Sequence, residues 1–113
     1  MQPILGVGVD LSRIERFRRA RHHERLASYY LSPEEWQRLA KKPDVAQQLA
    51  ARFAAKEAVI KAVPERVRSI DFEIVSEGEK PAVRWLVPSP YRILLSISHE
   101  TDHACAVAIC LPA

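Results

Sequence analysis

Residues 52–62 read Arg-Phe-Ala-Ala-Lys-Glu-Ala-Val-Ile-Lys-Ala, and they are the most informative segment of the sequence. It lies in a predicted long helix that Asp44 caps and that ends at about Val63, before Pro64. Alanine fills most of the neighbouring positions, at 50, 51, 54, 55, 58 and 62. Such small side chains let a strand or a ligand approach the helix closely, so the polar residues among them need not face open water.

Glu57 and Lys61 are the polar pair of this helix. They are four residues apart and share one helix face, with Phe53 one turn earlier. One interpretation is a surface ion pair beside a core aromatic ring. The other is a carboxylate and an ammonium group that serve a ligand.

Asp10 interrupts the apolar strand predicted over residues 3–11, in which Gly6 and Gly8 permit close backbone approach. Its carboxylate could cap the next helix or mark the strand end. A buried carboxylate without a partner is costly, and a hard cation shared with Glu57 would remove that cost. Mg²⁺ typically takes one or two protein carboxylates and fills its other positions with water and substrate phosphate oxygens. We therefore expect a Mg²⁺ site formed by Asp10 and Glu57.

The remaining elements divide the chain into a helical first half and a strand-rich second half. Residues 13–28 predict a helix with one weakly apolar face. Ser32-Pro33-Glu34-Glu35 is a typical helix start, and that helix runs to about Lys42. Alternating residues then predict strands at 68–76, 81–87, 91–98 and 103–111. This order predicts an α+β fold with a long helix packed on an antiparallel sheet.

Length and composition fit one soluble domain over residues 1–113, with 48% hydrophobic and 27% charged residues. A chain this small buries only about two-thirds of its unfolded surface, so self-association would add useful burial. We expect a cytoplasmic protein with no membrane partner, because no apolar run could span a bilayer and no signal-peptide pattern is present. Cys105 and Cys110 are predicted to be free thiols, since their odd separation puts them on opposite faces of one strand.

Arginine is concentrated in the first predicted helix. The segment from Ser12 to Arg25 holds six arginines against two glutamates, while the whole chain has a formal charge of only +3. Such a segment attracts a nucleic acid, a phosphate-rich cofactor or an acidic protein, although a solvated helix face explains the same pattern. Aromatic residues are not interleaved with these arginines as single-strand binders prefer. This argues against an RNA- or DNA-binding module, and we expect no nucleic-acid partner.

The segment Ser96-Ile97-Ser98-His99-Glu100 places a serine beside a histidine. Adjacent strand residues point to opposite faces, so Ser98 and His99 cannot form a hydrogen-bonded catalytic dyad. By itself, His99 fits a hydrogen-bonded histidine at a strand end. The sequence has no glycine-rich phosphate loop, zinc signature or nucleophile-elbow motif.

Taken in order, four segments resemble the holo-acyl-carrier-protein synthases, the short 4′-phosphopantetheinyl transferases, over almost the whole chain. They are Gly-Val-Gly-Val-Asp-Leu at 6–11 with the arginine-bearing helix, Leu-Ser-Pro-Glu-Glu-Trp at 31–36, the stretch at 52–62, and Ser-Ile-Ser-His at 96–99. The resemblance implies a 4′-phosphopantetheinyl transferase-like fold. It also implies Mg²⁺-dependent transfer of 4′-phosphopantetheine from coenzyme A to a serine of an apo-acyl carrier protein, with release of 3′,5′-ADP. A homotrimer with active sites between subunits is implied as well.

The same resemblance implies roles for five residues at the coenzyme A site. Asp10 and Glu57 would hold Mg²⁺ against the coenzyme A pyrophosphate, and Lys61 would lie near the same phosphates. Arg52 and His99 would also belong to the coenzyme A site. Asp10, Glu57 and Lys61 are thus the expected catalytic residues. The base that takes the serine proton stays open between a metal-bound water and Glu57.

Carrier recognition is assigned to the first helix and to one aromatic residue. By resemblance, Arg16 would touch the acidic carrier protein, and Phe53 would lie close to that contact. Arg13 and Arg19 are at helical spacing from Arg16 and would help to steer the carrier.

One segment departs from the family's pattern. The family follows the long helix with Phe-Gly-Thr-Gly-Ile, whereas this chain has Val63-Pro64-Glu65-Arg66-Val67. Because proline fixes φ and lacks an amide donor, this loop takes a different conformation. Around Pro88-Ser89-Pro90 the chain is also too short for the helix that usually precedes the final hairpin. These departures support a second hypothesis, a degenerate relative that binds coenzyme A or a carrier protein without catalysis.

Overall fold

The structure is a computed structural model that describes residues 2–113. One long helix crosses a three-stranded antiparallel sheet, and a separate two-stranded hairpin packs beside them. The elements in chain order are β1 (Gly6–Arg13), α1 (Ile14–Arg18), α2 (His23–Ala27), α3 (Pro33–Ala40), α4 (Val45–Ala62), a 3₁₀ turn (Ser69–Asp71), β2 (Phe72–Glu77), β3 (Lys80–Trp85), β4 (Tyr91–His99) and β5 (His103–Pro112). The predicted α+β fold with a long helix on an antiparallel sheet is confirmed.

Strand β1 lies directly against the backbone of α4. A Cβ atom added at Gly8 would lie 1.9 Å from the carbonyl oxygen of Ala58, and one at Gly6 would lie 1.9 Å from that of Ala62. Only glycine on the strand and small residues on the helix allow this approach. The contact between Gly-Val-Gly and the alanine-rich helix therefore fixes where β1 crosses α4.

The sheet order is β1-β5-β4, and its two faces differ sharply. Small residues of β5 cover the helix-facing side, where Ala104, Ala106, Ala108 and Cys110 are buried. The opposite side is apolar but exposed. Its large hydrophobic residues are Val7, Val9, Leu11, Leu94 and Val107, which are 39% to 64% exposed. We call these five residues the outer sheet face.

The single helix predicted over 13–28 is wrong. Arg13 is the last residue of β1 and pairs with His103, and two short helices follow with a break between them. The physical reason is burial: Ile14 and Phe17 are buried in α1, but residues 18–25 contain no large apolar side chain to continue the stripe. Packing of an apolar face supplies most helix stability, so a continuous helix is not favoured here.

The two predicted helix caps are confirmed. Ser32 and Glu35 form a capping box at the start of α3, and the Asp44 side chain accepts a hydrogen bond from the Gln47 amide at the start of α4. Strand β2, in contrast, begins at Phe72 rather than at residue 68, because the 3₁₀ turn precedes it.

Other expectations concern covalent and membrane features. Cys105 and Cys110 are free thiols, as predicted. Across residues 2–113, no helix has the length and apolar character needed to cross a bilayer.

Candidate functional site

Asp10 and Lys61 meet where β1 crosses the end of α4. Lys61 Nζ lies 3.1 Å from Asp10 Oδ1, and it also donates to the Val9 carbonyl oxygen at 3.1 Å. The Asp10 side chain is mostly covered, at 16% exposed, whereas Lys61 is 52% exposed. Alternation along β1 turns Asp10 toward the helix, on the same side as Gly6 and Gly8. The close approach of the β1 and α4 backbones thus places the Asp10 carboxylate beside Lys61.

Glu57 lies one helical turn before Lys61, on the same face of α4. Its side chain is half-buried. No donor within residues 2–113 forms a hydrogen bond or ion pair with it. The predicted Glu57–Lys61 surface pair is therefore replaced by the pair between Lys61 and Asp10. A partly covered carboxylate without a protein donor is free to bind a cation.

The donor set fits an open magnesium site rather than a closed metal cage. Within the described part of the chain, no three His, Cys, Asp or Glu side chains are grouped to hold a metal ion. Two carboxylates, Asp10 and Glu57, are what Mg²⁺ commonly takes from a protein when substrate phosphates and water complete its shell. Lys61 adds a positive charge beside them, which suits a phosphate-bearing ligand.

A pocket of about 520 Å³ lies beside Glu57. Its wall is largely aromatic and apolar, with Glu57 and Ser69 at one side, and the lining residues are Arg16, Phe17, Ala20, Leu26, Tyr29, Tyr30, Phe53, Glu57 and Ser69. The Arg16 guanidinium lies over the Phe53 ring at 4.9 Å and over the Phe17 ring at 5.1 Å. The pocket therefore combines apolar surface with an arginine. We call it the aromatic pocket.

Arg16 and Phe53, predicted to share one contact, do lie together. Arg13 and Arg19 flank Arg16 on an open, basic surface at the start of the helical segment. This surface adjoins the aromatic pocket through Arg16, which lines both. The structure thus groups the carrier-binding residues proposed from the sequence.

Arg52 and His99 are not brought to Asp10, Glu57 or Lys61 within this chain. Among residues 2–113, no hydrogen bond or ion pair joins either of them to those three side chains. Arg52 is half-buried, and this burial lowers the pKa of its guanidinium, an effect that nearby Glu35 partly offsets. His99 is exposed at the end of β4. The roles of Arg52 and His99 at a coenzyme A site therefore remain predictions.

Sequence reasoning missed the residues that complete the aromatic pocket. Tyr30 is buried and donates to the Leu49 carbonyl oxygen at 3.3 Å, and burial raises the pKa of its hydroxyl. Its ring meets Phe53 edge-on, with the ring centroids 5.3 Å apart. Tyr29 is 68% exposed, which is unusual for a large ring. The two consecutive tyrosines could have indicated this pocket in the sequence, because one ring can be buried while the next faces solvent.

Comparisons with known proteins show the family and the fold of this chain. Residues 6–108 match the model of the 4′-phosphopantetheinyl transferase superfamily. The holo-[acyl-carrier-protein] synthase of Coprothermobacter proteolyticus is 39% identical over 111 residues, covering 94% of each chain. The acyl carrier protein synthase of Mycobacterium tuberculosis has a TM-score of 0.74 and 33% identity, covering 98% of this chain and 100% of that one.

A structure with a bound ligand is similar as well. The holo-(acyl-carrier-protein) synthase of Bacillus anthracis, solved in complex with CoA (3′,5′-ADP), has a TM-score of 0.83 and 26% identity. The similarity covers 97% of this chain and 98% of that one. Because the family model and the relatives span nearly the full length, the chain belongs to the holo-[acyl-carrier-protein] synthases of the 4′-phosphopantetheinyl transferase superfamily.

Proposed function

We propose that this protein transfers 4′-phosphopantetheine from coenzyme A to a serine of an apo-acyl carrier protein in a Mg²⁺-dependent reaction in the cytoplasm. The observation that carries the proposal is the meeting of Asp10 and Lys61 at the β1–α4 contact, with the unpaired Glu57 one turn away. Membership of the family indicates the reaction. The β1–α4 contact provides carboxylates and an ammonium group, which suit a metal ion and phosphates.

The reaction requires little covalent chemistry from the side chains of this protein. The carrier serine loses its hydroxyl proton to a water molecule or to Glu57, and its oxygen forms a bond to the β-phosphorus of coenzyme A. The bond from that phosphorus to the bridging oxygen breaks, and 3′,5′-ADP leaves with the bridging oxygen. A bound Mg²⁺ would neutralise negative charge on the pyrophosphate. Asp10 and Glu57 would hold that ion, and Lys61 would orient the phosphates, since positioning and charge neutralisation dominate phosphoryl transfer.

The test is a direct measurement of the transferred group. The protein is incubated with an apo-acyl carrier protein, coenzyme A and Mg²⁺, and the carrier is weighed by mass spectrometry. We expect the added mass of one phosphopantetheine, and none with EDTA or with a carrier whose modified serine is alanine. Failure to modify several apo-carriers that a related synthase does modify would refute the proposal.

We place the carrier protein at the aromatic pocket and the neighbouring basic surface. Arg16 is exposed at the boundary between them, and its cation–π contacts hold it over Phe53 and Phe17. An acidic amphipathic helix suits this surface, because its carboxylates would meet the arginines while its apolar residues entered the pocket.

Charge reversal at Arg16 should separate the two substrates. In Arg16→Glu, the KM for the carrier should rise by about tenfold or more, because attraction becomes repulsion at the docking surface. The KM for coenzyme A should change less than twofold. Lys80→Glu, an equal charge reversal at an exposed residue of the β2–β3 hairpin, is the matched control and should leave both constants near wild type. Equal loss for both substrates in Arg16→Glu would show that Arg16 serves the cofactor or the fold instead.

We further propose that the active protein is a homotrimer whose sites are completed between subunits. Two observations support self-association. The outer sheet face presents five large apolar residues, a patch of the kind that marks interaction surfaces. Arg52 and His99 also lie apart from the Asp10–Lys61 contact, so a neighbouring copy is the source that could complete the site.

A charge on the outer sheet face should break the assembly. Val9 is 56% exposed at the centre of β1, and Val9→Glu would place a desolvated carboxylate in the interface. Light scattering coupled to size exclusion should show a trimer for wild type and a folded monomer for the variant, and transfer activity should fall with it. Leu86→Glu, at a residue 48% exposed elsewhere, is the control and should stay trimeric. A monomeric wild type with full activity would contradict the trimer.

A further inference from the structure

Lys56 is a buried cation that the proposed chemistry does not use. It is 1% exposed, although it immediately precedes Glu57 in the sequence. Lysine is almost never fully buried unless it is paired, and here its ammonium has three oxygen partners. Nζ lies 3.0 Å from Glu35 Oε1, donates to the Ser69 carbonyl oxygen at 2.6 Å, and donates to the Phe72 carbonyl oxygen.

Glu35 connects the Lys56 ammonium to two further segments of the chain. Its Oε1 accepts from the Ser32 amide at 2.9 Å, and its Oε2 accepts from the Ile74 amide at 2.7 Å. The pair with Lys56 therefore joins the start of α3, the middle of α4 and the start of β2. Each charged group has its full set of partners, and no buried side-chain polar atom within residues 2–113 lacks one.

The 3₁₀ turn is one of the segments that Lys56 contacts. The turn and the residue that follows it offer two carbonyl oxygens, from Ser69 and Phe72, and both accept from Lys56. Ser69 lines the aromatic pocket together with Glu57, Arg16 and Phe53. The ammonium of Lys56 is thus hydrogen-bonded to a residue that lines the pocket.

We infer that Lys56, with Glu35, is a positioning residue for carrier docking, because it fastens the Ser69–Asp71 turn that forms one wall of the aromatic pocket. This inference rests on the proposed function and deepens it. Lys56 touches neither the reacting atoms nor the metal carboxylates. Its loss should therefore raise the KM for the carrier while the KM for coenzyme A is kept.

The main variant removes both charges together, Lys56→Met with Glu35→Gln. Removing only one partner of a buried pair leaves an uncompensated charge and is strongly destabilising, whereas removing both is far milder. The glutamine keeps a carbonyl acceptor at position 35, and methionine keeps the length of the stem. We expect a folded protein whose KM for the carrier rises by about tenfold, with coenzyme A KM within about twofold of wild type.

Arg84→Gln is the matched control. Arg84 pairs with buried Glu73, and Glu73 also accepts from Ser32 Oγ, so this variant disturbs the same polar network without touching the turn. It should lower the thermal midpoint and leave both KM values unchanged. If the double variant shows this same pattern, with an unchanged carrier KM, Lys56 is only a structural residue and the inference is overturned.

Three outcomes of the same assay remain to be distinguished. If the double variant does not fold, Lys56→Arg is measured instead: it keeps a positive charge opposite Glu35, but its larger planar guanidinium should displace the Ser69–Asp71 turn, and a carrier KM equal to that of wild type contradicts the inference. A wild type that transfers nothing to any carrier would refute the proposed function and the inference with it. An active wild type with an unaffected double variant would refute the inference alone.

Discussion

Gly8→Ala should strongly destabilise this protein. The added methyl carbon would lie 1.9 Å from the Ala58 carbonyl oxygen and 2.9 Å from the Ala62 amide nitrogen. Both are backbone atoms of α4, so no side chain can rotate away to relieve the clash. Overpacking costs about 3 kcal/mol or more when the surroundings cannot relax, against a total stability of about 5–15 kcal/mol for a typical domain. Thermal and denaturant unfolding would measure the loss.

The glycine of the β2–β3 turn supplies the control for this substitution. Gly78 has φ +66, and a Cβ atom there would meet nothing within 4 Å. Asparagine tolerates this left-handed conformation better than other side chains do. Gly78→Asn should therefore cost less than about 1 kcal/mol. A Gly8→Ala protein as stable as Gly78→Asn would mean that β1 does not lie on the α4 backbone.

Glu57→Gln and Asp10→Asn should each reduce the rate of phosphopantetheine transfer at least about a hundredfold. Each change keeps the shape of the side chain and removes the negative charge that would hold a divalent cation. Neither should unfold the protein, because Glu57 has no donor within residues 2–113 and Asp10 is only one of two partners of Lys61. The transfer rate is measured at saturating carrier and coenzyme A.

Glu79→Gln is the matched control for these isosteric changes, since Glu79 is exposed in the β2–β3 turn. It should keep the wild-type rate. Full activity in either Glu57→Gln or Asp10→Asn would refute the metal assignment, even if the wild type proved to be an active transferase.

The parts of the fold that follow local rules could be predicted from the sequence. Ser32, Pro33 and Glu35 start α3 as a capping box requires, and Pro64 follows the end of α4. The alternation along β4 and β5 gave both strands within one or two residues. Asp10 stood out because an aspartate is unfavourable within a strand, and the structure places it in contact with Lys61.

Features that depend on burial between distant segments could not be predicted. Arg13 extends β1 because His103 pairs with it from the other end of the chain, which no local pattern reveals. The break between α1 and α2, in contrast, could have been predicted, because residues 18–25 contain no large apolar side chain. The burial of Lys56 could have been predicted, since Lys56 shares a helix face with the buried Leu49 and Val59. That position predicts a buried cation, but its partner Glu35 is apparent only in three dimensions.

The altered loop after α4 also needed the structure. Residues 63–67 were expected to differ from the glycine turn of the family, and they form an irregular segment that contains no helix or strand. Glu65 accepts a hydrogen bond from the Tyr91 hydroxyl at 2.6 Å, which raises the pKa of Tyr91 to about 12. This contact ties the loop to β4. The sequence showed that the loop was different, and the structure shows what holds it.

The binding of Mn²⁺ in the presence of coenzyme A is the most direct test of the account. Its central claim is that the β1–α4 contact presents Asp10 and Glu57 as the protein ligands of one divalent cation beside the coenzyme A phosphates. Loss of the free Mn²⁺ signal in electron paramagnetic resonance measures that binding. We predict one Mn²⁺ bound per chain in the wild type with coenzyme A, and much weaker binding in Asp10→Asn and in Glu57→Gln. Wild-type Mn²⁺ affinity in both variants would contradict the claim.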